Sequence, residues 1–507
     1  MVLAALAAFA SVPPAAPPDL VLYDGKIFTA DSAHPWAQAI AIRGERIVAV
    51  GQDDEIRPTV GPHTRVIDLH GRVVIPGIND AHDHVGLGPI GRSFLSDPSP
   101  IPDPPLAEVL DSLRAAAAAA PAGTWLRAVI GPTVIRQTEG LRAALDQAAP
   151  DNPVLLWAWW GHGAVVNSAG LRALGIGEAD ADPLGGHYQR YQSGRLTGWL
   201  QEYAGWGAVR RLNSALPDSV LVANLRQYVD GRVQLGVTSI QNMAGYLDPP
   251  TTIRVFRAAR LPVRMRLVRW SIPDTASLRL SEWDSVDQHP DSHTVVSGVK
   301  WVVDGTPIEG LWSRPDFSAD VIRGMLSDAL HGKQQYMLHV VGDSATRLVL
   351  SLMESLAPAE QWRGKRLRIE HGPGITDSLI DRARRIGIVI GQPRVEGGSS
   401  MQSWERAGIP LAYGSDNSPN PFFDFMQVVT SPGNPAEALS REDAVTMFTR
   451  GSAYAEFQEH EKGMLAPGML ADLAVLSQDI FTVPVDALPA TTSVLTVLGG
   501  KVVYSRN

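Results

Sequence analysis

Residues 73–84 read VVIPGINDAHDH, an apolar run that ends in two histidines separated by one aspartate. We predict that the run forms one β-strand. Successive side chains of a strand point to opposite faces, so His82 and His84 share one face and Asp83 points the other way. Two imidazoles on one face form a chelating pair for a metal ion. A single His-x-His pattern is weak evidence, because surface and core histidines show it too, so further ligands must come from elsewhere in the chain.

Seven later runs also have the length of β-strands, and stretches with helical periodicity separate them. They are GVTSIQNM (236–243), VRMRLVRW (263–270), GVKWVVDG (298–305), YMLHVVGD (336–343), LRIEHG (367–372), IGIVIGQP (386–393) and LAYGSD (411–416). The alternation of strands and helices predicts a parallel sheet in the α/β class. Eight such strands predict a (β/α)8 (TIM) barrel, whose active site lies at the carboxyl ends of the strands.

Three of these later runs carry residues that bind metals. His339 lies in the fifth strand of the barrel, His371 in the sixth, and Asp416 ends the eighth. In one barrel these side chains meet His82 and His84 at its mouth. Four imidazoles and one carboxylate suit Zn²⁺ or a similar borderline metal ion, and the chain has no cysteine to supply a thiolate.

Short alternating runs at both ends of the chain predict β-hairpins. DLVLYDGKIFT, AQAIAIRGERIVAVG and TRVIDLHGRVVIPG follow one another near the start, and LADLAVLS and SVLTVLGGKVVYS lie near the end. The termini of a domain commonly lie close together. We therefore expect residues 19–75 and 463–507 to form a composite β-sandwich domain, with residues 76–462 forming the barrel.

About 150 residues separate the first barrel strand from the second, far more than an ordinary connection needs. We interpret residues 88–231 as an inserted subdomain. It carries six of the 13 tryptophans: Trp125, Trp157, Trp159, Trp160, Trp199 and Trp206. An insert that leaves the catalytic face of the barrel is placed to form a lid or a wall of the substrate pocket. The alternative is that these side chains fill the core of the insert itself.

Composition limits the partners. A formal net charge of −9 gives no basic surface for phosphate backbones, so we expect a small-molecule substrate and no nucleic acid. Beyond the N-terminus no stretch approaches the ~20 apolar residues of a membrane span, so we expect no membrane association.

Residues 1–18 resemble a signal-peptide remnant and predict export to the periplasm or secretion, the alternative being a disordered terminus of a cytoplasmic protein. The sequence leaves open whether the protein forms a homo-oligomer.

Together these motifs resemble the amidohydrolase superfamily, specifically its amidohydrolase-3 (YtcJ-like) branch, which includes N-substituted formamide deformylases. The resemblance covers nearly the whole chain and rests on VVIPGINDAHDH, GHGAVVNSAGL, VKWVVDG, LHVVGDSA, RIEHG, GIPLAYGSD and GMLAPGMLADLAVL. It implies that His82 and His84 bind one metal ion and that His339 and His371 bind a second. It also implies that Asp416 contacts the first ion and acts as the catalytic base.

The resemblance also suggests positions or roles for four further residues. Lys300 occupies the position where many relatives carry a carbamylated lysine that bridges two metal ions, the alternative being an unmodified lysine in a salt bridge under the barrel mouth. His162 is expected either to reach the substrate or its oxyanion, or to be hydrogen-bonded internally. Glu202 matches an acidic position to which the sequence assigns no role. Glu370 is expected behind the metal ligands or under the barrel.

The activity implied by the resemblance is metal-dependent hydrolysis of a C–N bond in an amide, N-acyl or formamide group of a small organic molecule. One or two divalent ions, Zn²⁺ or else Mn²⁺, Fe²⁺ or Co²⁺, activate a water, and Asp416 passes its proton to the leaving amine. Two alternatives stay open. The same centre also attacks esters, lactones and phosphotriesters, and a non-catalytic binding protein can retain the barrel.

Overall fold

The computed structural model describes seven stretches of the chain, residues 16–85, 91–95, 102–137, 139–272, 281–306, 315–391 and 400–506. The segment predicted as a signal-peptide remnant, residues 1–18, lies outside them except for its last three residues. Across the seven stretches no helix has both the length and the apolar composition that a membrane span requires.

Eight parallel strands make up the central sheet, and each pairs with its neighbours in chain order. They are β1 (Ile78–Asp83), β2 (Val237–Ala244), β3 (Arg264–Trp270), β4 (Thr294–Val302), β5 (Tyr336–Val340), β6 (Arg368–His371), β7 (Val389–Gly391) and β8 (Leu411–Ala412). Ala81 donates a backbone hydrogen bond to Tyr413 (2.7 Å) and Asp416 donates one to His82 (2.8 Å), which closes the ring beyond β8. The predicted barrel is confirmed.

Helices cover the outside of the barrel, and their apolar faces pack with it in one large core. They are Asp218–Val233 before β2, Pro249–Ala259 before β3, Ser281–Asp284 before β4, Ala319–His331 before β5, Asp343–Leu356 and Ala359–Arg363 before β6, Asp377–Ile386 before β7, Met401–Arg406 before β8, and Pro421–Thr430, Arg441–Thr446 and Ser452–Tyr454 after β8. The side chains of Asp248, Ser318 and Asn420 each accept a hydrogen bond from a backbone N–H of the first turn that follows. These caps explain why the helices begin there.

The motif at residues 73–84 divides between two sheets. Val73–Pro76 pairs with Leu473–Leu476 outside the barrel, whereas β1 begins only at Ile78. The change of sheet occurs at Gly77, where a β-carbon would come within 2.1 Å of the Thr238 side chain. The prediction of one continuous strand is therefore wrong at this point, because the chain passes between two sheets through a space that only glycine fits.

Strands from both ends of the chain share a six-stranded sheet. Its order is Lys501–Ser505, Ser493–Leu498, Leu473–Leu476, Val73–Pro76, Lys26–Phe28 and Trp36–Ala37. A four-stranded sheet packs against it, with the order Arg46–Gly51, Ala39–Arg43, Leu20–Tyr23 and Arg65–Asp68. Their shared apolar core includes Leu22, Ile40 and Val475. Both ends thus contribute to one β unit, while its limits at 19–75 and 463–507 stay a prediction.

A further unit lies between β1 and β2. Its six-stranded sheet has the order Gly186–Arg190, Leu196–Glu202, Gly163–Val166, Val154–Ala158, Leu126–Ile130 and Arg92–Ser93. Its helices are Leu106–Ala118, Pro132–Ile135, Leu141–Ala148, Ser168–Ala173 and Tyr203–Ser214. The insert limits of 88–231 stay a prediction. Residue 88 lies outside the described stretches, and residue 231 falls inside the helix Asp218–Val233.

Candidate metal centre

The two histidines of the motif stand at the carboxyl end of β1. His82 and His84 are 1% and 8% exposed, and both line a cavity at this end of the barrel. Asp83 between them is fully buried and accepts a hydrogen bond from the Tyr228 hydroxyl at 2.7 Å. The alternation expected of a strand therefore places both imidazoles at the cavity and the aspartate behind it.

The other predicted ligands meet this pair. Ring centroids are 5.4 Å apart for His82 and His371, and 4.4 Å apart for His371 and His339. The Oδ1 atom of Asp416 lies 3.3 Å from Nε2 of His84 and 3.7 Å from Nε2 of His82. One donor atom from each of His82, His371 and Asp416 lies within 4.8 Å of the other two. The structure thus brings together the histidines and the carboxylate that the sequence singles out.

Lys300 lies on β4 beside these side chains and is 1% exposed. Its Nζ atom lies 3.4 Å from Nε2 of His82. Burial lowers the pKa of Lys300 to about 8, so its amine gives up a proton more readily than an exposed lysine does. Within the described stretches no carboxylate lies at salt-bridge distance from Lys300. The salt-bridged lysine that the sequence left as an alternative is not formed there.

Two observations test whether the cluster fits a metal ion. Nε2 of His339 and Nδ1 of His84 are buried without a hydrogen-bond partner in the described part of the chain, although buried polar atoms normally have one. Burial also lowers the pKa of His339 and of His371 well below the ordinary value, so both rings are neutral and keep the lone pair that a metal needs. Neutral imidazoles beside a carboxylate are a donor set for a borderline divalent ion. The residues fit such an ion.

Behind the cluster, Glu370 and Arg368 of β6 support His82. Oε2 of Glu370 lies 2.5 Å from Nδ1 of His82, and the Arg368 guanidinium donates two hydrogen bonds to that carboxylate, at 2.8 and 2.9 Å. The contact keeps a proton on Nδ1 and leaves Nε2 for the cavity. Glu370 thus takes one of the two positions expected for it. Arg368 was missed at the sequence level, although two charged residues at alternate positions of a buried strand are a signal for it.

Weakening this support weakens metal binding. We expect Glu370→Gln to bind Zn²⁺ about 10- to 100-fold less tightly, because a neutral amide holds the Nδ1 proton less firmly and leaves Arg368 without its counter-ion. Competition with a chromogenic chelator measures the affinity. Glu459→Gln is the matched control, because Glu459 forms a similar two-bond pair with Arg366, at 2.6 and 3.0 Å. Equal zinc affinities for the two variants would contradict the role given to Glu370.

Two members of the cluster have left-handed backbone conformations. The angle φ is 72° at His371 and 48° at Asp416. Residues other than glycine rarely adopt this region, because the β-carbon crowds the backbone. Such strain persists only where the surrounding structure enforces it, and it is concentrated at active sites. These strained conformations lie at the last residue of β6 and in the turn that follows β8, where they set the direction of the two side chains.

The cavity above the cluster has a volume of about 770 Å³, enough for a small organic molecule. Four tryptophans of the insert line it: Trp157, Trp159, Trp160 and Trp206. The insert therefore forms a wall of the pocket, one of the roles expected for it. The other two tryptophans have packing roles, since Trp199 lies in the core of the insert and Trp125 packs against the main core.

Ring contacts join this wall to the histidines that are candidate metal ligands. A closed circuit, with successive ring centroids 4.4 to 5.4 Å apart, runs from His84 through Trp270, Trp206, His162, His339, His371 and His82 back to His84. The circuit therefore joins two tryptophans and the candidate ligands, all of which line the same cavity.

His162 enters this circuit from the insert, and Glu202 holds it there. The Glu202 carboxylate is fully buried and lies 2.9 Å from Nδ1 of His162. The structure thus supplies the role that the sequence does not assign to Glu202, which is to orient an imidazole. One nitrogen of His162 has the internal hydrogen bond expected as one alternative, while the ring lines the cavity. Contact between His162 and substrate stays a prediction.

Comparison with known families agrees with this geometry. Residues 65–504 match the model of the amidohydrolase family. The chain belongs to the amidohydrolase family. The resemblance drawn from the motifs is confirmed. The histidine and aspartate cluster at the mouth of the barrel of this amidohydrolase is a candidate metal site.

Individual relatives cover nearly the whole chain. The N-substituted formamide deformylase of Arthrobacter pascens is 26% identical, over 95% of this chain and 96% of its own. Protein LONG AFTER FAR-RED 3 of Arabidopsis thaliana is 28% identical, over 96% of this chain and 91% of its own. An uncharacterized metal-dependent hydrolase from Pyrococcus horikoshii superposes with a TM-score of 0.69 at 17% identity, over 92% of this amidohydrolase and 99% of its own chain. This last likeness supports the fold.

Proposed function

We propose that this amidohydrolase hydrolyses a C–N bond in an amide, N-acyl or formamide group of a small organic molecule. The observation that carries the proposal is the meeting of four imidazoles, one lysine and one carboxylate at a single cavity in the barrel mouth. The relative named N-substituted formamide deformylase supports the choice of bond.

In this proposal His82, His84 and Asp416 would hold one divalent ion, and His339 and His371 would hold a second. Zn²⁺ suits this set because histidine nitrogens and carboxylate oxygens are its usual ligands when thiolates are absent. Uptake of CO2 by the Lys300 amine would give a carbamate, which would replace the repulsion of an ammonium by the attraction of an anion. A bound divalent ion would supply a water of lowered pKa and a Lewis acid for the scissile carbonyl group.

Asp416 is the base in this proposal. Its carboxylate accepts the proton of the attacking water and delivers it to the nitrogen of the leaving amine. Burial alone raises the pKa of Asp416, but the hydrogen bond with His84 and the neighbouring histidines hold it well below the ordinary value. The carboxylate is therefore ionised at neutral pH. An amine departs readily only once it is protonated, so one residue serves both steps.

His162 and the tryptophan wall bind the substrate in this proposal. Glu202 holds one edge of the His162 ring, which lies 4.7 Å from the ring of His339. An imidazole oriented by a buried carboxylate is a fixed hydrogen-bonding group, and the proposal gives it the carbonyl oxygen or the leaving nitrogen as its partner. The wall containing Trp159 and Trp160 packs against an apolar substituent.

The test of the proposed function is a screen of the zinc-loaded enzyme on matched compounds that share one side group: a formamide, an acetamide, an acetate ester and a phosphotriester. We expect turnover of at least one amide, its loss on chelation and its return with Zn²⁺. Turnover of the ester or the phosphotriester alone would replace the proposal by an esterase or a phosphotriesterase. Less than about one metal per chain, with no turnover after addition of metal, would favour a binding protein.

The same screen tests His162. We expect His162→Asn to lower kcat/KM about 10- to 100-fold without changing the zinc content, because a fixed hydrogen bond to the reacting group is lost. His187→Asn is the control, since His187 also belongs to the insert but pairs with Asp182, at 3.4 Å, and does not line the cavity. Unchanged kcat/KM in His162→Asn would leave this histidine with a structural role.

A further inference from the structure

Arg232 connects two chain segments that carry candidate metal ligands. It lies in the last turn of the helix Asp218–Val233, on the outside of the barrel, and yet it is only 2% exposed. No motif singles it out. A buried guanidinium costs free energy unless hydrogen bonds and a counter-ion compensate for its lost hydration. Its partners therefore show what it supports.

One partner is Asp83, the residue between His82 and His84. Nη2 of Arg232 lies 3.4 Å from the Asp83 carboxylate. Tyr228, one helical turn earlier, accepts a hydrogen bond from Nη2 at 2.6 Å and donates its own hydroxyl proton to Asp83 at 2.7 Å. The guanidinium is thus tied to the back of the first pair of ligands.

The other partners lie on the turn that carries Asp416. Nη2 of Arg232 donates to the Ser415 hydroxyl at 2.9 Å, and Nη1 donates to the carbonyl oxygen of Ser418. Between these two residues, Asp416 and Asn417 both have left-handed backbones, with φ of 48° and 69°. Two consecutive strained residues need anchors on both flanks to keep their conformation. The two nitrogens of one guanidinium supply such anchors.

We infer that Arg232 is a positioning residue for Asp416. It clamps the turn at residues 415–418 against Asp83, so that the Asp416 carboxylate stays beside His84. A displacement of about 1 Å in a reacting group lowers a rate about 100-fold, so holding the turn matters for catalysis. The inference deepens the proposed function and rests on it, because it takes Asp416 as the base.

The test compares Arg232→Ala with Arg142→Ala, both in the zinc-loaded full-length protein. Arg142 is a matched control because it is also buried and hydrogen-bonded, to the Leu196 carbonyl at 2.6 Å and to Glu178 at 2.7 Å, but it lies in the insert away from the cavity. We expect Arg232→Ala to lower kcat about 100-fold with KM changed less than about threefold. Arg142→Ala should keep kcat within about threefold of the wild type.

Rescue by free guanidinium separates positioning from simple loss of packing. Removal of the Arg232 side chain leaves a space that a free guanidinium ion fits. We therefore expect guanidinium chloride at about 10 mM to raise kcat of Arg232→Ala about tenfold. The same addition should not raise kcat in Arg142→Ala or in the wild type. A decrease in kcat that guanidinium does not reverse, or that Arg142→Ala shares, would overturn the inference.

Zinc affinity is a readout that needs no turnover. We expect Arg232→Ala to bind Zn²⁺ about tenfold more weakly in chelator competition, because a residue behind the ligands has been removed, and Arg142→Ala to bind as the wild type does. If the wild type hydrolyses nothing in the substrate screen, the proposed function fails. The zinc measurement then still decides whether Arg232 supports the cluster, and equal affinities overturn that claim.

Ser415→Ala covers the case in which Arg232→Ala does not fold. It removes one of the two anchors on the turn and leaves the guanidinium in place with its remaining partners. We expect a thermal midpoint close to that of the wild type and a kcat lower by about fivefold, the cost of one lost hydrogen bond at the turn. An unchanged kcat in Ser415→Ala would overturn the inference.

Discussion

The Asp416→Asn variant is expected to lose about 10³-fold in kcat on any substrate that the wild type hydrolyses. The amide has nearly the shape of the carboxylate but accepts no proton from water and has none to return to the leaving amine. Steady-state kinetics at saturating Zn²⁺ measure the loss, and metal analysis shows whether the variant still binds zinc.

Asp218→Asn is the control for this substitution, because Asp218 forms an exposed ion pair with Arg254 far from the cavity. Its kcat should equal that of the wild type. Full turnover in Asp416→Asn would show that the base is another residue. A loss of turnover that only follows a loss of zinc would show Asp416 to be a ligand and not a base.

Replacing Lys300 by methionine is expected to lower the affinity for the second ion about 100-fold or more, because the proposed carbamate is removed. Lys462→Met is the matched control. Lys462 is likewise buried in the barrel region, where its Nζ atom pairs with Glu456 at 2.8 Å and with the Ser239 hydroxyl at 2.9 Å. Metal content per chain, measured after dialysis, separates the two variants.

The proposed carbamate has a separate readout. Wild-type protein equilibrated with ¹³C-bicarbonate should show a carbamate carbon signal in NMR spectra that Lys300→Met lacks and Lys462→Met keeps. Two tightly bound ions in Lys300→Met, or identical spectra for the two variants, would contradict the bridging role and leave Lys300 as an ordinary buried lysine.

The fold was predictable from the sequence because its units are local. Each barrel strand is a short apolar run followed by a helix, and this order alone predicts a parallel sheet with its active site at the carboxyl ends. The error at residues 73–84 has a physical cause. Val73–Pro76 and β1 are both apolar and extended, so only the space at Gly77 shows that they belong to different sheets.

The candidate ligands were predictable because a metal site needs particular side chains at strand ends. Of the residues behind them, Glu370 was expected there, and Arg368 had a local signal at the alternate position of the same buried strand. The roles given to Glu202 and Arg232 had no such signal, because they depend on which elements pack together. In the sequence Arg232 resembles an ordinary arginine on the surface of a helix. Its contact with the turn at residues 415–418 is seen only in the folded structure.

The most direct test of the central claim is anomalous diffraction at the zinc absorption edge from crystals grown with Zn²⁺. The account predicts zinc at the barrel mouth, with imidazole nitrogens of His82, His84, His339 and His371 at about 2.0–2.1 Å from an ion and an Asp416 oxygen at about 2.0–2.2 Å. Zinc bound elsewhere while these four histidines carry none would contradict it.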